Sequence, residues 1–355
     1  MPEIILPGEG VAHGSIAQRL LQSNMDPGAL RPAICSKTGR QYITLNAGNK
    51  EQARVVPTTN ALLQDNEWRL LDRAILTAAR PKMTLYNDLR SMAPVYNIPN
   101  GMNFSTLVHQ RASVPGRAQL SMDGIIRGQQ ERRTMDLAGI PLPIISKQFS
   151  LTAREVAVSR QMGTDLDTAG AADAATSCAE EIERITAGTA TSFGYGGYTQ
   201  YGYTSFPNRL TGTMMIPTNV SWTPDQCRND FIAILQALAN VNHTGPFRVY
   251  YSVPWMQYMM RRYSQYEGAS LIDILKRIPG ISDVKQADYL TSGYQIIVVE
   301  ESQTVAQAVV GMELQTIQWE EHGGMEIVFM VMGILTLRLR ADKLNQTGIA
   351  HYTGT

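Results

Sequence analysis

Along the chain, apolar positions pass from sparse and aperiodic to dense and regular. Residues 1–64 carry recurrent prolines and glycines (Pro2, Pro7, Gly8, Gly10, Gly14, Pro27, Gly28, Pro32) between scattered large apolar residues (Ile4, Ile5, Leu6, Leu20, Leu21, Leu30, Ile34). So few periodic positions cannot bury a core of their own, yet truly disordered segments are poorer in such residues. The pattern predicts an extended arm that orders on neighbouring chains, with a helical turn or two over residues 16–22 and a strand over 41–45. Residues 65–80 read as a helix: Asp65 can cap it, Trp68, Leu71, Ile75 and Ala79 fall at helical spacing, and Pro81 stops it.

Two strand-like runs, 104–114 and 140–158, flank a polar, arginine-bearing stretch at 115–135. Together they predict a protruding β-hairpin. An isolated two-stranded hairpin is marginal in water and needs a partner surface, and loops of this length are uncommon unless functional. Between residues 100 and 150 the bases Arg111, Arg117, Arg127, Arg132, Arg133 and Lys147 outnumber the acids Asp123, Glu131 and Asp136 by three. The clearest long helix covers 165–187. Asp165 or Asp167 caps it, Leu166, Ala169, Ala172, Ala179, Ile182 and Ile185 recur at steps of three or four, and Gly188 ends it. Such a helix is a strut of about 30 Å. Residues 193–209, rich in Gly and Tyr, read as a loop or hairpin. A base-stacking platform would want flanking bases, and only Arg209 is near.

From Ser221 the pattern becomes densely mixed. Thr223, Pro224 and Gln226 form a helix start with a capping-box spacing, and Phe231, Ile234, Leu235 and Leu238 give that helix an apolar face. A strand follows at 248–253, a helix opened by Pro254 through Ser264, and a third helix at 270–278. Pro279-Gly280 turns the chain. Strands are expected at 295–300, 305–311, 313–320 and 325–340, with Gly323-Gly324 as a hairpin turn, before a C-terminal tail.

Composition sharpens this picture. Only 17% of the 355 residues are charged, against about 25% in ordinary soluble domains. That implies covered surface, and the natural cover is another copy of the chain. The formal net charge of zero argues against a dedicated nucleic-acid binder. Cys35, Cys178 and Cys227 are isolated from one another, which argues against a disulfide framework or a zinc site. No apolar run of about 18 residues is present and no signal-peptide pattern is read, so folding in the cytoplasm and no membrane contact are expected.

The sequence carries no nucleophile elbow, phosphate-binding loop, dinucleotide fingerprint, zincin motif or calcium loop. His322-Gly323-Gly324 faintly matches a lipase oxyanion loop but lacks the nucleophile. Glu320, Glu321 and Glu326 near His322 offer either a metal or acid/base site or a solvated rim beside a turn, and the rim is the simpler reading. No catalytic residue, cofactor or metal is therefore expected.

The order of parts resembles the α+β capsid fold shared by tailed-phage major capsid proteins and encapsulins, the HK-ninety-seven-type fold. LDTAGAADAATSCAEEIERITAG is similar to its spine helix. GPFRVYYSVPWMQYMMRRY and ASLIDILKRIPGI are similar to consecutive stretches of encapsulins, and QAVVGMELQTIQWEEHGGMEIVFMVMGILTLRLRAD looks like the closing strands of the peripheral domain. The resemblance implies an N-terminal arm (1–64), a helical lead-in (65–96), an E-loop hairpin (97–160), a spine helix with peripheral domain (161–221), an axial domain (222–302), and peripheral strands with a C-terminal tail (303–355). It further implies a major capsid protein that assembles with itself, as pentamers and hexamers, into an icosahedral shell. That shell would hold packaged double-stranded DNA without sequence specificity, with portal, scaffold or decoration proteins as further partners. The place implied is a virion assembled in bacterial cytoplasm. Some phages crosslink an E-loop lysine, but the stretch 115–135 has none, so noncovalent overlap is expected, with Arg117, Arg127, Arg132 and Arg133 as intersubunit contacts. The N-terminus also lacks the heptads of a fused scaffold. The alternatives are an encapsulin-type compartment around a cargo protein and a soluble α/β enzyme with an unread site.

Overall fold

The protein's structure, a computed structural model, describes residues 65–112, 122, 135–162, 168–264, 268–322, 325–342 and 344–354, together with the backbone of five short strands before residue 57. Those strands are β1 (Glu3–Ile5), β2 (Val11–His13), β3 (Pro32–Ile34), β4 (Gln41–Thr44) and β5 (Arg54–Val56), in one antiparallel sheet of order β2-β1-β5-β4-β3. The stretch read as an irregular arm therefore pairs with itself. Runs of three or four residues can join a ladder yet are too short for a periodicity to register. The helical turn expected at 16–22 lies outside the described residues.

Helix α1 (Asp65–Ala79) buries Leu71, Ile75 and Ala79. A 3₁₀ turn at Arg80–Lys82 carries the chain past Pro81 directly into α2 (Thr84–Met92), a helix the pattern did not predict. Leu85, Tyr86 and Leu89 are its buried face. At nine residues it is too short to hold itself, and its N-terminus is satisfied from elsewhere in the molecule. After β6 (Tyr96–Asn97), strands β7 (Thr106–Ala112) and β8 (Met135–Pro141) pair antiparallel from Thr106↔Pro141 to Ala112↔Met135.

The expected second hairpin strand at 140–158 is corrected: it divides among three elements. Its first residues end β8, β9 (Ile145–Thr152) joins another sheet, and α3 (Ala153–Met162) is helical. A reciprocal capping box forces the last change. The Thr152 backbone N–H donates to Glu155 Oε2 at 2.8 Å, and the Glu155 N–H donates to Thr152 Oγ1 at 3.3 Å.

The long helix α4 spans Ala169–Ala187. Its start falls after Leu166, and the expected caps Asp165 and Asp167 lie outside the described residues. Ala171, Ala174, Ala175, Cys178, Ala179 and Ile182 form its buried face. Such small residues let the helix lie close to the sheet beneath it, where Phe149 stacks on Phe329 at 5.0 Å. Gly188 takes φ +89° at the C-terminus and donates its N–H to Arg184 O, a conformation that suits glycine.

The rest of the chain supplies β10 (Gly194–Tyr195), β11 (Tyr198–Thr199), β12 (Leu210–Met214), α5 (Pro224–Ala239), β13 (Phe247–Ser252), α6 (Met256–Met259), α7 (Leu271–Lys276), β14 (Ile281–Ala287), β15 (Gln295–Glu300), β16 (Ala306–Glu321), β17 (Glu326–Leu339) and β18 (Ile349–Gly354). Two sheets organise the body. The first, β6-β16-β17-β9, packs against α4 and α1. The second, β12-β18-β15-β13-β14, packs against α5, α6 and α7 around Phe231, Trp255, Leu271, Ile296 and Val298.

Four further expectations change. The helix opened by Pro254 is a 3₁₀ turn and the single turn α6, after which Arg262 bridges to Ser270. After the expected turn at Pro279-Gly280 comes β14, parallel to β13, a strand the pattern did not predict. The runs 305–311 and 313–320 are one strand, β16, with register shifts on either side of Met312. The tail is in fact β18, held between β12 and β15 with Ile349 and Ala350 fully buried.

Candidate assembly surfaces

The β7–β8 hairpin is packed most deeply at its root. Ile140 and Leu142 are buried there with Val309, Met312 and Ile334, and Leu107 packs against them. Farther out, Val108, Met135 and Leu137 are exposed, Leu137 at 65%, and Phe104 stands exposed beside the root. Several large apolar side chains left in water on one thin element mark a contact surface. Arg117, Arg127, Arg132 and Arg133, the predicted contacts, lie outside the described residues. Arg111, from the same basic stretch, is described.

Arg111 belongs to a second feature, a basic cluster that joins one face of β7 to the end of β17. His109 and Arg111 stand two apart on β7, and Arg338 and Arg340 stand two apart at the end of β17. Arg338 is only 5% exposed. It lies 4.7 Å over the Tyr96 ring and donates to Gln307 Oε1. Arg111 reaches Asn345 Oδ1 at 3.5 Å. Both His109 ring nitrogens and the Nε atoms of Arg111, Arg338 and Arg340 are buried without a hydrogen-bond partner. Burial, then Arg338, Arg340 and Arg111, push His109 down to about 4. Burial and Arg340 lower Arg338 to about 10.

Two buried polar joints hold the body rigid. Glu183, fully buried on α4, accepts hydrogen bonds from Thr84 Oγ1 at 2.7 Å, Leu85 N at 2.6 Å and Tyr86 N at 3.2 Å. The long helix α4 thus caps the N-terminus of α2. Burial outweighs those bonds and raises the carboxyl from 4.5 to about 6. From the other side of α2, Asp88 pairs with Lys285 at 2.7 Å and Arg248 at 3.7 Å, and Arg248 pairs with Glu301 at 2.8 Å. Together they tie the four-stranded layer to the five-stranded sheet.

The chemically suggestive groups fall into packed or exposed settings. Cys178 and Cys227 are buried, and burial raises their thiols to about 11 and about 12, far from the thiolate that a nucleophile needs. Glu321, His322 and Glu326 bring ligand-type atoms within 4.8 Å of one another at the open end of β16 and β17, where Glu321 and His322 are exposed. His322 Nδ1 lies 3.0 Å from Glu326 Oε2 in this group. One groove of about 630 Å³ runs along α4 past Ile144, Lys147, Glu181 and Phe193. Another, of about 740 Å³, lies between α5 and α7 beside Arg228, Ile232 and Tyr263.

The fold is that of solved capsid shells. The chain superposes on the virus-like particle from Pyrococcus furiosus with a TM-score of 0.54 at 15% identity, over 80% of this chain and 98% of that one. It superposes on the capsid of Myoviridae Phage XM1 at 0.55 and 12% identity, over 74% of this chain and 90% of that one. Mycobacterium phage Bobi gives 0.54 at 12% identity, over 75% and 90%. At these identities the likeness is one of fold, and it is the capsid fold that the sequence resembled. No curated protein matches the chain. Residues 57–352 match the model of a family of unknown function, DUF6260, and the chain belongs to that family.

Proposed function

We propose that this chain is the major capsid protein of a tailed phage, a structural subunit rather than an enzyme. It self-assembles into an icosahedral shell around the phage genome. The observation that carries the reading is the β7–β8 hairpin: on a capsid fold, it leaves Val108, Met135 and Leu137 without cover. In this reading residues 1–64 are the N-arm, 97–160 the E-loop region, α4 the spine helix and 222–302 the axial domain, with β18 returning to complete the axial sheet. Arg117, Arg127, Arg132 and Arg133 contact a neighbouring subunit, and the overlap of arms is noncovalent. Pentamers and hexamers enclose double-stranded DNA held without sequence specificity. Portal, scaffold or decoration proteins are the further partners. Assembly takes place in the host cytoplasm and the product is the virion.

A second reading is an encapsulin-type shell around a protein cargo. It is supported by the match over 98% of the chain of the Pyrococcus furiosus virus-like particle. Negative-stain imaging with light scattering on the purified protein tests both readings. Closed particles are expected, and a protein that stays monomeric at high concentration overturns them. Particles whose content is a single co-purifying protein, with no nucleic acid, favour the second reading over the first.

A further inference from the structure

Within the shell reading, on which this step rests, we propose that the basic cluster between β7 and the end of β17 is a socket for carboxylates of a second copy of this chain. Those carboxylates come from the acidic tip of the β16–β17 ribbon. The socket is built from His109, Arg111, Arg338 and Arg340. Three guanidinium groups gathered around His109 repel one another and bear a desolvation cost. The described residues do not relieve that cost. Among the described residues no carboxylate ion-pairs with any of the three arginines. Asp136 stands opposite Arg111 in the hairpin register without pairing with it, and Asp342 accepts from the Gln346 N–H instead. Buried arginine is normally matched by an acid, and guanidinium binds carboxylate in a bidentate fork.

The complementary group is visible in the same ribbon. Glu320 and Glu321 are exposed at the far end of β16, opposite Ile327 and Glu326 of β17. Glu321 accepts from Trp319 Nε1 at 2.7 Å, which fixes its direction, while Glu320 has no partner among the described residues. The register runs from Glu321↔Glu326 at the tip to Ala306↔Leu339 beside the socket. At roughly 3.3 Å per residue the two ends lie about 40 Å apart. One copy therefore cannot bring its own tip to its own socket. A tip-to-socket contact is head-to-tail, and when repeated it closes into rings or extends into a net, as a shell requires.

Charge exchange tests this. Glu320→Lys with Glu321→Lys, at exposed positions that leave folding unchanged, should lower particle yield by about tenfold or more. Arg111→Glu with Arg340→Glu should do the same, and the chain carrying all four changes should recover particles. Tip reversal that assembles like the wild type overturns the socket, and so does failure of the four-fold chain to recover when each parent melts normally. Wild-type chain that forms no particles removes the shell reading. The contact is then read independently: Glu321→Cys and Arg340→Cys chains, mixed at high concentration with a short bis-maleimide, should give an interchain dimer above the wild-type background. Absence of that dimer overturns the socket.

Discussion

The five-stranded sheet and the β7–β8 hairpin are built from similar residues and end in opposite conditions. In the sheet, Ile296, Ile297, Val298 and Val299 are all fully buried, between helices on one face and the neighbouring layer on the other. In the hairpin, Val108 and Leu137 occupy strands of comparable length and face water. A strand's content of β-branched and aliphatic residues therefore does not decide whether it is self-sufficient. What decides it is whether the same chain supplies a second layer. The sheet completes its stabilisation within the chain, and the hairpin leaves one apolar face uncovered.

Substitutions can set the two regions against each other. Phe329→Ala removes a fully buried ring stacked on Phe149 and should cost about 3–5 kcal/mol. Urea titration of the unassembled chain measures it. Glu183→Ala orphans the Leu85 and Tyr86 N–H groups at the start of α2, a loss of about 2–4 kcal/mol in the same titration. The pH dependence of Glu183 is smaller and has a definite sign. Its folded value, about 6, lies above its ordinary 4.5, so the folded state binds the proton more tightly. The stabilisation is full below pH 4.5 and is lost as pH rises through 6, about 2 kcal/mol in all. Denaturant midpoints from pH 4 to 7.5 should follow that course, and Glu183→Gln should flatten it. In contrast, Val108→Asp with Leu137→Asp should move stability by less than about 0.5 kcal/mol while abolishing particles in the microscope. A large loss of subunit stability from that pair would erase the distinction between the two regions.

Elements with local signals were legible in the sequence. The Thr223-Pro224 start of α5, the start of α7 at Ser270 and the Gly188 stop of α4 depend on neighbours within four residues, and each is where the pattern placed it; the capping box that Ser270 forms with Asp273 was not read. The Gln226 half of the expected box is absent, because its side chain turns to Asp230 instead. Elements fixed by distant partners were not legible. Strand β18 is short and follows a glycine, and only β12 and β15 make it a strand. Helix α2 depends on Glu183, which sits about a hundred residues later. In the sequence Glu183 stands among Glu180, Glu181 and Arg184, which conceals that its spacing of four from Ala179 puts it on the buried stripe. The socket also left a trace. His109 and Arg111, and Arg338 and Arg340, each stand two apart, so each pair shares one side of its strand. That both pairs meet at one place follows from the packing of the hairpin onto β16 and β17. The contacts predicted at Arg117, Arg127, Arg132 and Arg133 rest on sequence alone.

Strand β18 also sets a schedule. Its partner β12 emerges from the ribosome some 140 residues earlier, and at about 5–20 residues per second that is a wait of roughly 7–28 s. For that interval β12 has no neighbour in its sheet, and α5 lacks part of the floor it packs on. The last-made segment thus serves as a latch. A chain whose synthesis stops short presents an unfinished sheet rather than a near-native surface.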